Sequence, residues 1–175
     1  MNRMQAKQIG NPTLELGEKK TVEKGKEAFF SLFANPIFQA KHGVFLVIIH
    51  NKNTEVKPMV ETFTKTARNL KVELEVKCMP EYLNSEGDVI KAIDKALESF
   101  SKCNILMPVL PSKLQNAYPG IKSATLEIAK KREILTQCVV EHTLRKKGVQ
   151  SIHTKLLLQI LAKRGNILWV PSYKE

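Results

Sequence analysis

Residues 43–50, GVFLVIIH, form a short apolar run that begins at a glycine and gives way to the polar HNKN of residues 50–53. An apolar stretch of this length between turn residues is the signature of a strand buried on both faces. The segments downstream of it decide the class. Residues 56–70, VKPMVETFTKTARNL, set Val60, Phe63, Ala67 and Leu70 at helical spacing, and residues 72–79, VELEVKCM, alternate as a strand does. Ser85 to Phe100 reads as a helix capped by Ser85, with Val89, Ile90, Ile93 and Leu97 on one face. A third strand is expected at NILMPVLP (104–111), a helix at 119–132 and a fourth strand at ILTQCVV (134–140). A last helix over 152–164, closed by Gly165, leads to NILWVP (166–171) as a fifth strand. Strands alternating with helices predict an α/β, Rossmann-like fold: a mostly parallel central sheet flanked by helices.

Upstream of Gly43 the period disappears. Residues 1–42 carry turn signals at Gly10-Asn11-Pro12, Gly17 and Asn35-Pro36 and read as an arm or linker, with KEAFFSLF (26–33) as a short helix. The regular domain is expected over 43–171. No apolar run approaches the ~20 residues of a membrane span. The first twenty residues lack the apolar core of a signal peptide, and three cysteines without CxxC spacing suit neither a disulfide framework nor a zinc site. An intracellular protein, cytoplasmic or nuclear, is the expectation.

The net charge of +11 is unevenly spread. Residues 1–41 hold seven Lys/Arg against four acids, residues 42–117 ten against nine, and residues 118–175 eleven against four. The last third is therefore the basic part, which points to a polyanionic partner or to a basic surface without a dedicated one. Several enzyme classes drop out. There is no GxGxxG after the first strand, no GxxxxGK[ST], no carboxylate pair after the first strand and no Gly-x-Ser-x-Gly elbow.

Polar residues in apolar surroundings remain to be explained. Gln137 interrupts the fourth strand, and Gln159 and Lys163 interrupt the apolar LLLQILAK of the last helix. Tyr118 precedes Pro119 at a helix entrance, and Lys122 comes at i+4 on the same face. Singly, Tyr118 reads as a packing residue, Lys122 as a solvated lysine and Lys163 as a cation favoured in a last helical turn. Together, a phenol, two ammoniums, two amides and a helix N-terminus suit a terminal phosphate, with its ~1.5–2 charges and three acceptor oxygens. His50, His142 and His153 read as strand-end, surface or helix-end residues.

YPGIK (118–122), TQCVVEHTL (136–144) and TKLLLQILAKRGN (154–166) resemble the MID domain of Argonaute/Piwi proteins, which anchors the 5′ end of a guide RNA. The resemblance covers roughly residues 43–171. It implies that Tyr118, Lys122, Gln137 with Cys138, Gln159 and Lys163 bind the 5′ phosphate. It further implies that LPSKLQNA places Pro111, Ser112, Lys113, Leu114, Gln115 and Asn116 around the first base. QCVVEHTL, and Gln159 where animal Argonautes carry a lysine, favour the Piwi branch. A neutral Gln159 leaves the phosphate under-compensated, so a phosphate-dependent Mg²⁺ ion at Gln159 is implied as well. NPTLELG (11–17) and LFANPIF (32–38) resemble the preceding linker, and residues 172–175 the start of the RNase H-like domain, whose catalytic carboxylates are not in this sequence. A binding module for single-stranded 5′-phosphorylated RNA, working with the other domains of its parent protein and without cleavage activity, is thus expected. Two alternatives stand beside it: a Rossmann-like domain acting on a small phosphorylated metabolite, and a scaffold whose basic face docks an acidic protein.

Overall fold

The strand expected at 43–50 lies at the centre of a computed structural model that describes residues 13–23 and 35–172. In chain order the main elements are β1 (Thr13–Glu15), β2 (Thr21–Glu23), β3 (Val44–Asn51), α1 (Lys57–Asn69), β4 (Leu74–Glu81), α2 (Glu86–Ser99) and β5 (Ile105–Leu110). Next come α3 (Tyr118–Arg132), β6 (Leu135–Thr136), β7 (Val139–Val140), α4 (Val149–Lys163) and β8 (Val170–Ser172). The central sheet has the order β4-β3-β5-β6, with β7 continuing along β5, and all its pairings are parallel. Leu46 and Ile48 enter one core, with Met59 and Phe63 of α1 and Leu157 and Leu161 of α4. Val47 and Ile49 enter the other, with Val89 and Ile93 of α2 and Ile121 of α3. Each strand residue therefore meets a helix layer, which is why the run is apolar without alternation. The expected Rossmann-like class holds.

Local signals explain the ends of α2 and α4. Ser85 Oγ accepts from the Asp88 N–H at 3.2 Å, while the Asp88 carboxylate accepts from the Ser85 N–H at 2.9 Å, a reciprocal capping box. Gly165 stands just past α4 at φ 89°, a left-handed conformation that glycine adopts without a Cβ penalty. Asn166 then ties this end to the entry of β3. Its Oδ1 accepts from the N–H groups of Lys41 and His42 at 2.9 and 3.1 Å, and its Nδ2 donates to the His42 and Leu161 carbonyls.

Three expectations are corrected. NILWVP does not extend the parallel sheet. Ile167 bridges Gln39, and Val170–Ser172 pairs antiparallel with β1 in a separate sheet of order β2-β1-β8. Part of the expected arm is thereby structured, whereas the helix expected at 26–33 lies outside the described residues. ILTQCVV is not one strand but two short ones, for a reason that bears on the site. His153 is no surface residue: it is 2% exposed, and neither ring nitrogen reaches a well-formed hydrogen bond, the Leu144 carbonyl being only an imperfect neighbour. Burial pushes its pKa down against the pull of the Leu144 carbonyl, so the ring is held toward its neutral form.

Candidate functional site

Beyond the end of β5 the chain takes one 3₁₀ turn, Ser112–Ala117, and enters α3 at Tyr118. Pro111 and Leu114 are buried, and Leu114 packs into the core. Ser112, Lys113, Gln115 and Asn116 are exposed. Ala117, at the N-cap of α3, provides no side-chain cap; the Tyr118 N–H donates to the Gln115 carbonyl, and Pro119 has no N–H to satisfy. Glu86 approaches this turn from α2, 3.3 Å from where a Cβ on Gly120 would stand.

The gap between β6 and β7 arises from Pro108. Leu135 and Gln137 donate their N–H groups to the Asn104 and Leu106 carbonyls, so the next residue in phase on β5 is Pro108. Proline has no N–H to give the Gln137 carbonyl, and the ladder lapses at Gln137 and Cys138. It resumes at Val139 opposite Val109, in unchanged register. On the open side of this gap Lys163 Nζ donates to the Thr136 carbonyl at 2.8 Å and to Gln137 Oε1 at 2.7 Å. The Tyr118 hydroxyl donates to the Cys138 carbonyl at 3.4 Å. Among the described residues no backbone bond takes up the Cys138 N–H. The Cys138 thiol is buried beside Thr125, so toward a ligand this residue presents its backbone.

Two ammoniums share this place. Burial lowers the pKa of Lys163, and the neighbouring Lys122 lowers it further, against an opposing effect of Cys138. Burial likewise pushes the Cys138 thiol up, with Thr125, Lys163 and Lys122 acting the other way. Among the described residues no ion pair involves either lysine. Two cations that repel each other without a carboxylate between them attract an anion with several oxygens.

Tyr118, Lys122, Gln137, Cys138 and Lys163 thus come together. Gln159 behaves differently from its sequence context. Leu156, Leu157, Leu158, Ile160 and Leu161 all turn inward, so that Gln159, one turn before Lys163, is exposed and takes part in none of the side-chain hydrogen bonds among the described residues. It needs no buried partner. The Gln137 oxygen is engaged by Lys163, and no group of three His, Cys, Asp or Glu among the described residues could hold a metal. The donor set therefore fits a divalent ion only if phosphate and water complete its shell around the Gln159 amide oxygen.

One charged group, Glu141, was not singled out from the sequence. At the carboxyl ends of β3, β5 and β7 lies an open groove of about 430 Å³, lined by Asn51, Asn53, Thr54, Ser112, Glu141 and Arg145 among others. This is the point where successive crossovers run in opposite directions, the usual ligand position in such sheets. Glu141 Oε2 accepts from the Thr54 hydroxyl at 2.8 Å, and Oε1 accepts from the Ser112 N–H at 3.2 Å and its hydroxyl at 3.3 Å. Burial raises the Glu141 pKa, but these bonds and Arg145 outweigh it, and the net shift is downward. The only signal in the sequence was a lone carboxylate directly after a strand in the most basic third of the chain.

The chain is thus an α/β domain with a mostly parallel sheet, and Lys163 lies on the open side of the gap in its last strand. No protein-family model matches the sequence, and no curated protein matches it. Solved structures do. A segment of Drosophila Piwi is similar over 94% of this chain, with a TM-score of 0.76 and 20% identity. An A. aeolicus Argonaute is similar over 96%, with 0.68 and 17%, and Aa-Ago with externally bound siRNA over 92%, with 0.67 and 12%. At such identities the likeness is one of fold, and this chain spans only 23% to 24% of those chains. No helix among the described residues is long and apolar enough to cross a membrane.

Proposed function

We propose that this chain is the guide-strand 5′-end binding module, the MID domain, of an Argonaute/Piwi-type RNA-silencing protein, nearer the Piwi branch. It anchors a 5′ phosphate and senses the first base. The observation that carries this reading is the placement of Lys163, unpaired with any carboxylate among the described residues and within electrostatic reach of Lys122, at the gap that Pro108 opens beside Gln137 and Cys138. A phosphate here would take charge from both ammoniums and hydrogen bonds from the Tyr118 hydroxyl and the Cys138 N–H. The Gln137 amide would turn its nitrogen toward the phosphate once Lys163 lets go of its oxygen. Likeness to segments of Piwi and Argonaute structures, one of them with externally bound siRNA, supports the class of partner. The chemistry of the site is binding: its groups hold charge and orient, and none of them is arranged as a nucleophile with its base.

The deciding experiment titrates matched single-stranded RNAs bearing a 5′ phosphate or a 5′ hydroxyl. Preference for the phosphorylated strand, together with sensitivity to the first base but not the third, is the expected result. Equal affinity for both strands would leave only general basic attraction, as for an acidic protein partner. Equal affinity for a nucleoside monophosphate and the oligonucleotide would favour a small phosphorylated ligand.

A Mg²⁺ ion belongs to the same reading. When bound, it supplies the positive charge that a lysine at position 159 would otherwise bring. The chain offers it one neutral oxygen, that of Gln159, so the ion is held only while phosphate is present. Millimolar Mg²⁺ at constant ionic strength should raise affinity for 5′-phosphorylated RNA, and Gln159→Lys should remove that dependence. Identical wild-type titrations with and without chelator would dispose of the ion and leave the phosphate site intact.

A further inference from the structure

We infer that Glu141 is a positioning residue that sets first-base selectivity by clamping the turn after β5. This deepens the reading above and rests on it. The turn Ser112–Ala117 carries the exposed groups expected around the first base, and the core holds it at Leu114 and Ala117 but not at its start. Its leading residue is fixed instead by a carboxylate from the far side of the groove. One oxygen of Glu141 receives both the N–H and the hydroxyl of Ser112, and the other receives the Thr54 hydroxyl from the loop after β3. Three loops, from β3, β5 and β7, thereby share one anchor.

The chemistry suits a clamp better than a base contact. A carboxylate only accepts, and Oε1 is already occupied by two donors. By holding the Ser112 N–H, Glu141 also withdraws that donor from any ligand and leaves recognition to the later residues of the turn. Lys113 is steadied separately, its Nζ donating to Asn84 Oδ1 at 2.6 Å. The turn is thus held at its first two residues and enters α3 directly, so its intervening backbone cannot shift without breaking a charge-assisted bond. Selectivity for one base over another depends on such fixed groups, because a donor that can move with the ligand discriminates little.

The test compares wild type with Glu141→Ala, Glu141→Gln and Thr54→Val, each checked for an intact melting transition. Affinities for RNAs of each 5′ base, and for phosphorylated against hydroxyl ends, are measured alongside amide exchange across residues 112–117. The expected result for Glu141→Ala is faster exchange in the turn and loss of most first-base preference, about tenfold or more for a charge-assisted bond of this kind. The phosphate preference should remain. Glu141→Gln keeps an acceptor for Ser112 and should fall between, and Thr54→Val should reproduce a weaker form of the alanine effect. Unchanged exchange, or unchanged first-base preference in Glu141→Ala, overturns the clamp. Absence of any phosphate preference in the wild type would instead sink the parent reading, and the exchange measurement would still decide whether Glu141 holds the turn.

Discussion

Replacing Lys163 by alanine should weaken binding of 5′-phosphorylated RNA by about tenfold or more, the equivalent of a ~1.5–3 kcal/mol charge-assisted contact. Binding of the 5′-hydroxyl strand should hardly change. The lysine has a second task, because its ammonium satisfies the Thr136 carbonyl on the open side of β6. The alanine variant therefore loses a little stability too, which a melting curve separates from the binding effect. pH gives an independent check with a definite sign. Burial and Lys122 both lower the Lys163 pKa, so its ammonium loses charge at a lower pH than an ordinary lysine. Phosphate relieves that repulsion and favours the protonated form. Affinity for the phosphorylated strand should accordingly fall on the alkaline side before that for the hydroxyl strand does. A parallel decline of both would mean that Lys163 acts only through overall charge.

Leu157→Ala should have the larger effect on stability, about 2–5 kcal/mol for a fully buried leucine leaving a cavity. Leu157 is completely shielded between α4 and the central sheet, in the core that also holds Phe63 and Ile48. Urea unfolding tracked by circular dichroism would measure the loss. The substitution lies six residues before Lys163 on the same helix. The fraction still folded should keep the ratio of affinities for phosphorylated and hydroxyl strands. If that ratio falls with stability, the placement of the ammonium depends on core packing and not on its own two hydrogen bonds.

Sequence patterns reached the elements governed by local chemistry. The buried run at 43–50, the Ser85 cap and the Gly165 stop each act within a few residues, and each stands where expected. Pairing across distance was less visible. Pro108 was in plain view inside NILMPVLP, but its effect falls on Gln137, twenty-nine positions away, and appears only when the two strands are set in register. NILWVP has the composition of an inner strand and was drawn to the outer sheet by β1, a partner in a segment without periodicity. Gln159 misled in the opposite direction. Apolar neighbours in sequence suggested burial, yet the helix turns every one of them inward and leaves the amide outside. Tyr118, Gln137 and Lys163 do lie around one gap, because Tyr118 opens α3, Gln137 follows β6 and Lys163 ends α4. Glu141 was not legible, since nothing local ties it to Thr54 or Ser112.

The small sheet β2-β1-β8 has a mechanical consequence. Thr13 opposes Ser172, and Glu15 opposes Val170, so the outermost residues of the two strands lie side by side at one end of their ladder. Chain continuing past either strand would leave from a single point. Tension applied there loads the β1–β8 rungs one after another, in the manner of a zipper, instead of shearing them all at once. Such a neck yields at low force while the parallel sheet behind it bears no load. Through the Gln39–Ile167 bridge and the Asn166 ties, the next resistance lies at the junction of α4 and β3. Tension at this neck therefore meets the β1–β8 rungs before it reaches α3 and α4, which carry Lys122 and Lys163.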